Sequence, residues 1–251
     1  MRLTVHPRAL LWLLLPIAVL LVLASFSATL VGLASAGTDP FVGYERLMAA
    51  LAVDAETTIP AWFSVSLLLL CALLLVDVAR TTRLEGSRWR WHWAALAVVF
   101  AYMSMDEGSR LHETGSSVLE AAGIDTGLRF GWVALAIPVM LVFLVLMIPF
   151  LLALPRRTAL RFVLAGTVFV GGAVGMEFAG GWAWDTAGEQ SALYAGISSV
   201  EELLEMVGAI LFAWAVADHQ RRHLAAAAAV DGRAAAGSAP QGASAAPVRA
   251  A

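Results

Sequence analysis

Between Leu10 and Leu33 the chain carries no charged residue, and the run "LLWLLLPIAVLLVLASFSATLVGL" is long enough to cross a lipid bilayer. A hydrocarbon core takes roughly 20 apolar residues at about 1.5 Å of rise each. Backbone inside it must satisfy its own hydrogen bonds, which leaves helices or a closed barrel. A barrel strand alternates apolar and polar residues, whereas these runs are continuous. Similar runs recur, and spans are predicted over about 10–33, 61–79, 91–112, 131–154, 160–182 and 199–217. Hydrophobic residues make up 60% of the chain and charged ones 14%, against about 25% charged in a soluble domain. The expected fold is all-α, a polytopic transmembrane helical bundle.

Every basic residue other than histidine is arginine. The absence of lysine excludes Schiff-base chemistry on a lysine. Arginines gather in alternate connections: Arg2 and Arg8; Arg80, Arg83, Arg88 and Arg90; Arg156, Arg157 and Arg161; Arg221 and Arg222. The intervening connections hold mainly acids, among them Asp54, Glu56, Asp125 and Asp185. The positive-inside rule then puts both termini in the cytoplasm of an inner-membrane, multi-pass, bacterial-type protein. Trp89, Trp91, Trp93, Trp132, Trp182 and Trp184 lie near span ends, as an aromatic belt would. The basic start, long apolar stretch and "ASA" at 34–36 resemble a signal peptide, but the stretch is too long for one, so an uncleaved span is expected. Residues 1–224 form the membrane domain. Residues 225–251, rich in Ala, Gly, Ser and Pro, are expected to be a disordered cytoplasmic tail. Cys71, the single cysteine, is a packing residue inside an apolar run.

The third span ends in "MSMDEGSRLHE", with Asp106, Glu107, Arg110, His112 and Glu113 close together. The fifth span carries Glu177 within "GGAVGMEFAGGW", and the sixth begins with Glu201, Glu202 and Glu205. The predicted topology brings all of them to one depth, in the outer half of the membrane. An ionisable side chain there must face the bundle interior, water or a partner. At about 100° per residue, Asp106 and Glu113 differ in direction by about 20° and Arg110 shares their face. Gly115 would then end that helix. Gly171 and Gly175 form a GxxxG pattern that would admit a close neighbouring helix. Ser199 and Glu202 have capping-box spacing, which accounts for Glu202 but not Glu205. Arg110 is one candidate partner for Glu177.

Seven acids in this group, Asp106, Glu107, Glu113, Glu177, Glu201, Glu202 and Glu205, face only Arg110 and His112. Ion pairing cannot neutralise them, which leaves water, bound protons or a cation. Carboxylates with one histidine suit divalent Mn, Fe, Zn, Mg or Ca. The expectation is therefore a metal-binding site, enzymatic or not, with Asp106, His112, Glu113, Glu177 and Glu205 as ligands and Glu177 and Glu205 as acid–base groups. A proton- or cation-coupled transporter and a non-catalytic structural module are the alternatives. Met103, Met105, Met176 and Met206 near the acids would suit Cu(I), although methionine is also a common gap-filler. The Glu-x-x-His pairs of di-iron bundles and the His-Glu-x-x-His hydrolase motif are absent. "EELLEMVG" resembles the Glu-Glu start of membrane CAAX-type proteases, but the Arg and the later histidine helices of that family are missing. Nothing indicates nucleotide or nucleic-acid binding. The partners expected are the lipid bilayer and a small molecule or cation.

Overall fold

The computed structural model describes residues 5–35, 40–127 and 131–237. Among them every regular element is helical. The helices are α1 (Pro7–Ala34), α2 (Tyr44–Leu51), α3 (Ile59–Leu84), α4 (Arg90–Ser109), α5 (Leu111–Ala121), α6 (Trp132–Ala153), α7 (Arg156–Val170), α8 (Glu177–Ala187) and α9 (Ala192–Gly237). A π-helical turn, Gly171–Met176, joins α7 to α8 without a break.

Local chemistry sets several ends. Pro7 occupies the first turn of α1, where its missing N–H costs nothing. The Thr58 side chain accepts a hydrogen bond from the Ala61 N–H and caps α3. Pro155 precedes α7 and stops α6 from continuing into it. Four rods are long and apolar enough to cross a membrane: α1, α3, α6 and the continuous 156–187 rod. The less apolar α4 and α9 are not among them.

Around α9 the other rods alternate in direction. His6, at the start of α1, lies by Arg221 near the end of α9, and Phe26 lies by Gly196 near its beginning, so α1 is antiparallel to α9. In α3, the Cys71 thiol donates to the Ala209 carbonyl and Gln220 reaches the Leu74 carbonyl, so α3 runs parallel to α9. In α4, Phe100 stacks on Phe212 and Trp93 stacks on His219, again antiparallel. Two apolar clusters fill the middle. One centres on Trp93, Phe150, Phe162, Phe212 and Val216, the other on Ala18, Leu67, Leu68, Met206 and Ile210.

Two close approaches to α9 are made at glycines. A Cβ at Gly208 would stand 2.6 Å from the Phe169 nitrogen, and one at Gly172 would stand 2.9 Å from the Glu201 carbonyl oxygen. The expected GxxxG pair does not make this contact: Gly171 and Gly175 face open space. Gly172 and Gly180 face α9 instead. Eight residues of uninterrupted α-helix would set these two about 80° apart. The π turn takes up one extra residue, removing about 100°, and brings both onto the same side.

Three further expectations change. The third predicted span does not continue to His112, because Arg110 adopts left-handed geometry (φ 52°, ψ 39°) and separates α4 from α5. The phase relation between Asp106 and Glu113 therefore does not hold. Gly115 does not end a helix; it lies inside α5, against Leu135 and Trp132. Ser199 is not a cap, since α9 begins seven residues earlier, where Ser191 Oγ accepts from the Tyr194 N–H. At the other end α9 continues through the alanines to Gly237; the rest of the expected tail lies outside the described residues.

Candidate functional site

At the end of the bundle away from the arginine-rich connections, acids from α4, α8 and α9 come together. Asp106 sits in the last turn of α4. The reversal at Arg110 folds the chain back so that the His112 N–H donates to Asp106 Oδ1 at 2.8 Å, while His112 Nδ1 lies 3.1 Å from Asp106 Oδ2. The reversal carries no glycine of its own; Gly108 and Ser109, two weak helix formers just before it, are the local signal. The side chain of Glu113, one of the expected ligands, lies outside the described residues.

His112 leads to Trp132. Their rings are 5.1 Å apart and tilted by 60°. Trp132 opens α6, where its backbone N–H donates to Ser116 Oγ at 2.9 Å. Its indole Nε1 donates to Glu177 Oε1 at 3.0 Å. Trp132 was legible only as a belt residue; nothing local in the sequence marks the indole as a partner of Glu177. Arg110 is not that partner. It forms an ion pair with Glu56, in the connection before α3.

Glu177 is the first residue after the π turn, and its carboxyl group is within hydrogen-bonding reach of that of Glu201 on α9. Glu201 Oε2 also lies 3.9 Å from where a Gly180 Cβ would stand, so the absent side chain leaves room for it. One turn along, Glu205 packs its Cγ against Gly172 and shares the electrostatic environment of Glu202, Glu107, Glu201 and Glu177. Glu202 faces Glu107, Glu177 and Asp54. Glu107, Glu177, Glu201, Glu202 and Glu205 are all partly buried. Among the described residues none of these five forms an ion pair with an arginine or histidine. Tyr194, in the first turn of α9, has Glu177, Glu201, Glu189 and Asp54 as charged neighbours.

Asp106 and His112 thus form one pair, Glu177 and Glu201 another, and Glu205 lies deeper with Glu202. Trp132 joins the first pair to the second. Among the described residues no group of three or more His, Cys, Asp or Glu is arranged to hold a metal ion. The carboxylates are strung along α9 and across the indole rather than converging on one point. The arrangement supplies a series of polar groups leading from the partly exposed Asp106–His112 pair to the carboxylates of the central helix.

No curated protein and no solved structure matches the chain. The family model described as a domain of unknown function, DUF8692, matches residues 14–220, from α1 to the inner part of α9. The chain belongs to the DUF8692 family.

Proposed function

We propose that this protein is a six-span inner-membrane protein, both termini cytoplasmic, that takes up and releases protons through its carboxylate series in coupled transport. α4 and α9 would supply the two spans beyond the four apolar rods. As spans, their charged ends would face water or the bundle interior, which is where intramembrane ionisable groups are retained. One observation carries the reading: five partly buried glutamates gather around α9, and among the described residues none of them has an arginine or histidine at ion-pair distance. Several adjacent carboxylates cannot all stay ionised when taken from water, so they must share protons or a cation. The π turn beside them supports the same reading, because such turns are frequent at working sites. A resident metal centre, with Asp106, His112, Glu113, Glu177 and Glu205 as ligands, draws less support, since no three described ligands converge.

The test is a pH jump applied to proteoliposomes on a solid-supported membrane. Wild-type protein should give a charge displacement that Glu177→Gln and Glu205→Gln abolish. A signal equal to that of empty liposomes, or one unchanged in both variants, rejects proton exchange. Metal analysis of the purified chain tests the other reading: stoichiometric metal lost in both variants would replace the transporter with a metal centre. A C-terminal reporter fusion that is active only in the cytoplasm tests the orientation.

A further inference from the structure

At the opposite end a cavity of about 280 Å³ opens between the start of α1 and the ends of α3 and α9. Val5, Val78, Ala217 and Leu224 give it an apolar wall. His6, Thr81, Arg221 and His223 line its polar side. We infer that this cavity binds the headgroup of an anionic lipid, with Arg221 on the phosphate and the apolar wall against the start of the acyl chains. The inference rests on the membrane reading, and not on proton exchange.

The arginines near this end differ in how they are satisfied. Arg161 and Arg222 both pair with Asp218. Arg221 does not: its Nη1 lies 3.3 Å from His6 Nε2, and among the described residues no carboxylate is within ion-pair distance of it. An imidazole can accept one hydrogen bond, whereas a guanidinium offers five donors in a fork that matches phosphate oxygens. Asp77, the acid in the cavity lining, and Glu85, which lies by the lining residue His223, are both already engaged. Asp77 accepts from Gln220 Nε2 at 3.2 Å, and Glu85 lies 3.4 Å from His223 Nε2. His219, also in the lining, is stacked on Trp93. The exposed cation therefore stands at the mouth of an apolar recess, at the level where arginine-rich connections meet the membrane surface. A free inorganic anion would leave that recess wet, whereas an amphiphile fills both halves. Basic pockets between spans on the cytoplasmic side take anionic headgroups in this way.

The experiment measures thermal unfolding of the full chain in neutral detergent, with added phosphatidylglycerol, phosphatidylcholine or inorganic phosphate. Phosphatidylglycerol should raise the midpoint by several degrees, as a ligand that binds only the folded state does. Phosphatidylcholine and inorganic phosphate should leave it within about a degree. Arg221→Gln should lose at least half of the shift, and His6→Ala a smaller part. Both side chains are exposed, so both variants are expected to fold. Arg8→Gln, an exposed arginine outside the cavity lining, should keep the full shift. The inference is overturned by any of three results: an equal shift with phosphatidylcholine or phosphate, a full shift in Arg221→Gln, or an equal loss in Arg8→Gln. None of these outcomes touches the pH-jump signal, so the two readings fail separately.

Discussion

The two ends of the bundle handle charge in opposite ways. At the arginine end, Asp218 is shared by Arg161 and Arg222, and the Arg161 guanidinium lies 3.8 Å from the Trp214 ring centroid. Trp93, Phe162 and Phe150 pack edge to face just inside it. Charge at Asp218 is matched, and its pairing with Arg161 holds α7 to α9. At the acid end, Glu177 and Glu201 lie against each other, and Glu202 and Glu205 follow along α9 with no arginine among their described partners. Like charges brought together raise the energy of the folded chain unless protons or cations neutralise them. The first end is built for stability. The second gives up stability, and that loss is what one expects of a site kept for work.

Removing an acid should therefore have opposite consequences at the two ends. Asp218→Ala leaves Arg161 without its carboxylate in a mostly buried position. Thermal or denaturant unfolding should show a loss of about 3 kcal/mol, as for a broken buried pair. Gly172→Ala at the acid end tests packing rather than charge. Its Cβ would sit 3.0 Å from Glu205 Cγ and from Leu204 Cβ, so the rod must move off α9, at about 2 kcal/mol. Trp132→Phe keeps a ring beside His112 and deletes the indole donor to Glu177. It should cost about 1 kcal/mol of stability and reduce the pH-jump signal more than its effect on folding accounts for. Glu201→Gln should be the mildest, within about 0.5 kcal/mol of wild type or above it, because it removes one of two adjacent carboxylates. A loss as large as that of Asp218→Ala would mean that the acid end is cemented by an unseen partner, and the contrast would fall.

Which of these features could be read in the sequence follows from how far each depends on distant contacts. Hydropathy is a local sum, so the long rods were legible from runs such as 10–33 and 131–154. The sharing of one end by Asp106, Glu177 and Glu205 was legible too, because it follows from counting reversals of direction. Helical phase was not. It needs an unbroken helix, and the left-handed Arg110 and the Gly171–Met176 π turn both reset it. Ser199 had the spacing of a cap, but Ser191, just after the turn at Gly188 (φ 87°), takes that role. The partners of Arg110 and Glu177 were illegible for a different reason. Glu56 and Trp132 are 54 and 45 residues away from them in the chain, and only the packed bundle selects them.

The π turn has a consequence for how this gene can change. A single-codon deletion anywhere in 171–176 would let the rod close into continuous α-helix, and by local criteria the shortened segment would be better formed. With one residue fewer and no π turn, the rod beyond would keep its direction relative to α7, because the π turn already takes up that one residue. Glu177 would stay by Trp132, and Gly180 by Glu201. The segment can thus shorten by one residue without turning the acids away, whereas closing the π turn at full length would turn them by about 100°. Among substitutions there, those at the open Gly171 and Gly175 should be far better tolerated than those at Gly172, which faces α9.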